Sequence, residues 1–147
     1  MELVAYDRAQ VKPAKVKELL ATAVFSPTGE RLNAILSNVY SSPANKLFLL
    51  THEGQALGLV GVRRVGDAAA EILHIAVDAG TRQQGIGRRM IDELLRVEAL
   101  SELVAETDQD AVGFYRRCGF VVKSLGEKYP GTERFLCSLR RETTRPD

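Results

Sequence analysis

Arg82-Gln83-Gln84-Gly85-Ile86-Gly87-Arg88-Arg89 is the stretch on which the reading of this chain turns. It follows an apolar run of strand length at residues 70–77. It opens a segment in which Ile86, Met90, Leu94 and Val97 recur at helical spacing. A strand-to-helix turn of this kind aims free backbone N–H groups and the positive end of the helix dipole at one point. Gly85 and Gly87 carry no side chain, so a bulky anion can approach the main chain closely. A pair of glycines needed only for a tight turn is the competing reading. Each charge-assisted hydrogen bond contributes about 1.5–3 kcal/mol, so three or four suffice to hold a diphosphate. Two common phosphate loops do not fit. A Walker loop needs Gly-Lys followed by Ser or Thr, whereas Gly87 precedes Arg88-Arg89. A dinucleotide fingerprint needs a third small residue where Met90 stands, and a tighter turn than residues 78–84 allow. Glu106 alone imitates its ribose-binding acid.

Outward from this loop, the elements alternate in period. Residues 3–6 suit a short opening strand. Val16, Leu19, Leu20, Ala23 and Val24 outline a helix over 11–25, with Pro13 tolerable in its first turn. Ser26-Pro27-Thr28-Gly29 breaks it, and Leu32, Ile35, Leu36 and Val39 outline a second helix. Residues 46–51 and 56–64 read as strands joined at Glu53-Gly54, a hairpin signal, and 70–77 as a third strand after a turn at 65–67. Beyond the long helix, whose outer face offers Arg88/Asp92 and Arg89/Glu93 pairs, come a strand at 103–107 and a short helix at 110–118. A closing hairpin is expected from 120–123 and 134–139, and residues 140–147 read as a solvated tail. The order predicts an α/β (α+β) fold: a mixed, mostly antiparallel sheet flanked by helices, not a doubly wound one.

Composition sets the outer limits. The 147 residues suit one domain, spanning 1–147. Twenty Lys and Arg against nineteen Asp and Glu leave a net charge of +1, which argues against nucleic-acid or electrostatic membrane partners. No apolar run is long enough to span a bilayer. Glu2, Asp7 and Arg8 stand where a signal peptide would need an apolar core. Cys118 and Cys137 fit no zinc or redox spacing and read as reduced thiols in a cytoplasmic protein, with no metal.

The glycine loop resembles the acetyl-CoA-binding signature of the GNAT N-acetyltransferases, Gln/Arg-x-x-Gly-x-Gly/Ala, at each specified position. Its surroundings resemble the family too. Ile72-Leu73-His74-Ile75-Ala76-Val77-Asp78 looks like the central strand. Asp108-Gln109-Asp110-Ala111-Val112-Gly113-Phe114-Tyr115, followed by Gly119-Phe120, looks like the second signature, Asn-x-x-Ala-x-x-x-Tyr then Gly-Phe. The resemblance covers residues 71–120. It implies the acyl-CoA N-acyltransferase fold, in which the central strand splays from the strand after the helix and the pantetheine arm slots between them.

That resemblance implies a site. Ile75, Ala76 and Val77 lie against the coenzyme, with main-chain bonds from Ile75 and Val77 and the Ile75 N–H as oxyanion donor. Gln83, Gln84, Gly85, Ile86, Gly87 and Arg88 surround the diphosphate, and Arg82 or Arg88 adds a charged contact or is simply solvated. Tyr115 is the expected acid that protonates the leaving thiolate, its alternative being a core aromatic beside Phe114. An amine of pKa about 10.4 is neutral in only about one molecule in 10³ at pH 7, so a base is useful. Glu71 is the first candidate, its position similar to the base of the histone-acetylating branch. It lies roughly 13 Å from Ile75 along an extended strand, a distance suited to relay through water. Glu106 and His74 are weaker candidates; His74 faces away from Ile75's side of the sheet unless a bulge intervenes. Asp108 stands where the family usually has Asn, so its coenzyme contact is in question, and capping the next helix with Asp110 is the alternative.

The expected activity is acetyl transfer from acetyl-CoA directly to a primary amine, small-molecule or protein, within a ternary complex. A catalytically silent acetyl-CoA sensor and an interaction domain without coenzyme are the rival readings, and self-pairing is open. The acceptor is expected between residues 25–31 and 125–133, where Glu106, Glu127 or Glu133 could attract a cation or simply be surface acids.

Overall fold

The computed structural model describes residues 1–7, 9, 11–82 and 84–141. In chain order it contains β1 (Glu2–Ala5), α1 (Pro13–Ala21) and α2 (Gly29–Ala34), which runs on into a π-helical turn at Ile35–Val39. Then come β2 (Asn45–His52), β3 (Gln55–Gly66), β4 (Ala69–Val77), a 3-10 turn at Ala79–Thr81 and α3 (Ile86–Val97). β5 (Glu102–Asp108), α4 (Val112–Arg117), β6 (Val121–Tyr129) and β7 (Thr132–Arg140) close the chain. The seven strands form one sheet in the order β1-β2-β3-β4-β5-β7-β6. Its one parallel pairing is β4 with β5, which α3 makes possible as the crossover. The expected mixed, mostly antiparallel sheet is therefore present.

Two cores sandwich the sheet. Val60, Val62, Met90, Ile91, Leu94 and Leu103 lead the one beneath α3 and α4. Val16, Leu19, Leu20, Leu49 and Leu59 lead the one beneath α1 and α2. The α3 stripe is as expected at Ile86, Met90 and Leu94, widened by Ile91 and Leu95, but Val97 at its end is 40% exposed.

Several local expectations change. α1 stops at Ala21 because the Thr22 hydroxyl and main-chain N–H both bond the Leu19 carbonyl, which closes the last turn. The second helix changes to π geometry after Ala34. The hairpin strands β6 and β7 are longer than read, and Arg140 is the last residue of β7, opposite Glu102, rather than the start of a tail; residues 142–147 lie outside the described residues. Asp92 pairs with Arg141 instead of Arg88, while Arg89–Glu93 forms as expected at 3.6 Å. Among the described residues no helix is long and apolar enough to cross a membrane.

Candidate functional site

β4 and β5 pair only at Ala69–Glu102, Ala70–Leu103 and Glu71–Val104. Beyond Glu71, β4 stays paired to β3 as far as Val77–Gly58, and β5 stays paired to β7 as far as Asp108–Arg134. The two strands thus run on, each with one edge unpaired and facing the other across a gap. The register supplies a cause. Gly61 opposes His74 while Val62 opposes Ile72, so Leu73 is an extra residue in β4, a bulge placed two residues after the last β4–β5 pair. Bulges bend and twist a strand, which turns β4 away from its neighbour.

The direction of the main chain in the gap follows from the ladder. The Asp78 N–H donates to the Leu57 carbonyl at 2.8 Å. In an antiparallel ladder alternate pairs exchange these bonds, so Ala76–Leu59 and His74–Gly61 are the bonded pairs. Ile75 and Val77 therefore direct their N–H and C=O groups into the gap. Ala76, expected beside them, has its main chain turned toward β3 and its side chain in the α1–α2 core.

The bulge also decides which side chains share a face. Val62 and Ile72 pack in the α3–α4 core, and Ile75 and Val77 pack against that same core three and five residues later. Glu71 and His74, by contrast, lie on the α1–α2 face. Glu71 is opposite Arg63 and held by its Nη2 at 2.5 Å. His74 is half-buried, and its Nδ1 is 2.6 Å from the Tyr40 hydroxyl. Burial pushes the imidazole below its ordinary pKa and the Tyr40 phenol above its own. His74 faces away from Ile75 as expected, even though a bulge is present, because the bulge falls before both.

β4 and β5 are parallel, so their carboxyl ends and the start of α3 lie at the same end of the gap. Gly85 caps α3 in the left-handed region, at φ 75°, and the Arg89 N–H is the first to bond within the helix, to the Gly85 carbonyl. The N–H groups of Ile86, Gly87 and Arg88 have no acceptor in the helix. Gly87 differs from the expectation of an open approach. It is buried, and a Cβ there would come within 2.3 Å of Phe114 Cε2. Its bareness accommodates the Phe114 ring and so seats α4 against the first turn of α3. Arg82, Gln84 and Arg88 are exposed beside this turn; Gln83 lies outside the described residues.

Tyr115 is 6% exposed in the α3–α4 core, edge-on to Phe114 and Phe120 at ring separations of 5.3 and 5.2 Å. Burial pushes its phenol pKa upward, so the group keeps its proton. Asp108 caps the turn into α4, its Oδ1 accepting from the N–H groups of Asp110 and Ala111 at 3.0 and 3.1 Å. Glu106 bridges Lys128 at 2.5 Å and Arg134 at 3.6 Å, and the Lys128 ammonium holds its carboxyl below the usual range. Glu133 accepts from Ser124 Oγ, and Glu127 from the Gly131 N–H. The acids expected to draw in a cationic acceptor thus already have partners.

The chain matches a family model described as the acetyltransferase (GNAT) domain over residues 43–122, more than half its length. It belongs to the GNAT acetyltransferase family. A relative from Bacillus methanolicus, an uncharacterized N-acetyltransferase, is 29% identical over 89 residues, 60% of this chain and 72% of its own. An uncharacterized Mycobacterium leprae protein is 33% identical over 95 residues, 58% of this chain but 26% of its own length. Among solved structures, a spermidine N-acetyltransferase chimera of Vibrio cholerae and hSSAT superposes with TM-score 0.73 at 18% identity, covering 95% of this chain and 96% of that one. An aminoglycoside 6'-N-acetyltransferase complexed with coenzyme A gives 0.69 at 14% identity over the whole of both chains. A GNAT acetyltransferase of Elizabethkingia anophelis with acetyl-CoA bound gives 0.65 at 19%, covering 95% and 97%. The sheet order and the parted strands are thus those of a GNAT acyltransferase fold, as the glycine loop and its flanking signatures implied.

Proposed function

We propose that this GNAT protein is an N-acetyltransferase that moves an acetyl group from acetyl-CoA directly to a primary amine. The observation that carries the reading is the parting of β4 and β5 after Glu71 and Val104, with the main-chain groups of Ile75 and Val77 turned into the gap. An extended amide-bearing arm matches such an edge as a missing strand would. In this reading Ile75 and Val77 take the pantetheine, and the Ile75 N–H stabilises the oxyanion that forms only as the thioester carbonyl becomes tetrahedral. The N–H groups of Ile86, Gly87 and Arg88, together with Gln83, Gln84 and Gly85, hold the diphosphate at the positive end of α3. Arg82 and Arg88 add charge.

The amine nitrogen attacks the carbonyl carbon, the C–S bond breaks, and the thiolate takes a proton from Tyr115. Burial keeps that phenol protonated but also makes it the weaker acid, so it donates by its position beside the departing sulfur as the C–S bond breaks, not by acidity. Asp108 contributes by fixing the turn that carries α4 and Tyr115. Glu71 is the poorer base than its place in the strand suggests, since it must first leave the Arg63 guanidinium. Neighbours of the same fold whose names specify spermidine and aminoglycoside N-acetylation support an amine as the acceptor class.

The test is calorimetry with acetyl-CoA, followed by thiol release with a panel of spermidine, an aminoglycoside, an amino acid and a peptide with a free amino terminus. Micromolar binding and turnover with at least one amine are expected, and Tyr115→Phe should lower kcat by about 10²-fold with coenzyme affinity kept. Tight binding without turnover on any amine would replace the enzyme with a coenzyme sensor. Absence of binding would remove both.

A further inference from the structure

Three departures from regular structure converge on one polar pair. The π-helical turn at Ile35–Val39 ends at Tyr40, whose main-chain N–H bonds the Ile35 carbonyl at 3.3 Å. The bulge at Leu73 puts His74 on the α1–α2 face next to the gap. Gly61, directly opposite His74, leaves the space that the Tyr40 hydroxyl occupies: a Cβ at Gly61 would lie 1.6 Å from Tyr40 Oη. Gly61 has no left-handed φ that would otherwise require glycine. π-helical turns and bulges both concentrate at functional sites, and here both position the same hydrogen bond, Tyr40 Oη to His74 Nδ1 at 2.6 Å.

We propose that His74 takes the proton the acceptor amine must lose, accepting it at Nε2, with Tyr40 as the positioning residue on Nδ1. The inference rests on the transferase reading and deepens it. The role requires the tautomer in which Nδ1–H donates to the phenol oxygen, which puts the imidazole lone pair on Nε2. His74 adjoins Ile75, the residue whose N–H faces the reacting carbonyl in that reading. The carboxylates on offer are committed elsewhere: Glu71 to Arg63, Glu106 to Lys128 and Arg134. Among the described residues, the ion pairs on this face are Glu71 of β4 with Arg63 of β3, and Lys15 of α1 with Asp78 at the end of β4 and with Glu18; Tyr40 is the titratable group in contact with the ring. Burial keeps the imidazole neutral at pH 7, as a base must be. Over a full cycle the protons balance. The ammonium gives its first proton to solvent, the attacking amine gives its second to His74, and the thiolate takes one from Tyr115. The imidazolium proton then returns to the phenolate through solvent, which restores both groups.

The experiment compares wild type with His74→Asn, Tyr40→Phe and Gly61→Ala, using whichever panel amine wild type acetylates fastest. Asn offers an amide where Nδ1 stood and so keeps a partner for Tyr40, but it has nothing at Nε2. His74→Asn should lower kcat by about 10²-fold or more while the acetyl-CoA dissociation constant stays within about twofold. It should also remove the acid-side limb of the kcat/KM pH profile, which in wild type lies below the ordinary histidine value. Tyr40→Phe and Gly61→Ala, which leave His74 in place, should both lower kcat without weakening coenzyme binding. A His74→Asn enzyme with kcat and the acid limb intact overturns the assignment and leaves the transferase standing. If that variant does not fold, unchanged kcat in both Tyr40→Phe and Gly61→Ala overturns it equally. A wild type that binds acetyl-CoA but acetylates no amine overturns both readings.

Discussion

Gly61 and Gly87 are bare because another side chain occupies the space a methyl group would need, whereas Gly85 is bare because of its backbone. At Gly85 φ is 75° and the space around a Cβ is open, so Gly85→Ala meets only the left-handed penalty, about 1–2 kcal/mol. At Gly87 the obstacle is the Phe114 ring. Gly87→Ala should cost about 1–3 kcal/mol by overpacking, and Phe114→Leu in the same chain should recover part of that loss, whereas it should not rescue Gly85→Ala. Thermal denaturation of the three singles, Phe114→Leu included, and the two doubles reads the coupling. Additivity at Gly87 would mean that the Phe114 contact does not set the residue there.

Among elements, the attachment of α1 to the end of β4 is the most directly testable. Lys15 Nζ meets Asp78 Oδ1 at 2.7 Å, and the bond lowers the Asp78 pKa while raising that of Lys15. Asp78 is more acidic folded than unfolded, so its contribution is complete above the ordinary carboxylate value and disappears as pH falls through the lowered one. Lys15 shows the same bond from the other side: its contribution is complete below the ordinary lysine value and is lost as pH rises through the raised one. Asp78→Asn should therefore destabilise at neutral pH by no more than about 1 kcal/mol and flatten the acid limb of the stability profile below pH 4. Chemical denaturation at pH 7 and pH 3 measures both; an equal gap between the proteins at the two pH values would contradict it. The edge element β6, with Val121 72% and Tyr129 68% exposed, carries two register shifts against β7, which bend it away from regular edge pairing.

For the molecule as a whole, the parted strands leave backbone groups that a bound coenzyme would satisfy, so binding should appear as stability. At a concentration of acetyl-CoA 100 times its dissociation constant, the native state gains about 2.7 kcal/mol. For a chain of this size that raises Tm by about 5–10 °C. An acetyl-pantetheine probe without the diphosphate should raise it less at the same concentration, because it leaves the start of α3 unused. Equal shifts would show that the glycine turn does not bind the diphosphate.

Much of this was legible in the chain itself. The apolar stripe of α3, the Glu53-Gly54 hairpin and the crossover between β4 and β5 follow from periodicity and turn chemistry, which are local. The family's signatures lie in one stretch, because the loop, the strand before it and the helix after β5 are near one another in sequence. What needed the folded molecule involves contacts between distant residues. The bulge at Leu73 is a property of the register between β3 and β4, and no residue in β4 announces it. Phe114 on Gly87, Arg63 on Glu71 and Tyr40 on His74 each join residues that neither spacing nor composition links. Residue types and their order thus determined which elements form and which family they belong to. Only the packing of one element on another decided which bare glycine is a contact, which acid is already paired and which histidine meets a tyrosine, because those properties depend on neighbours that the linear chain keeps apart.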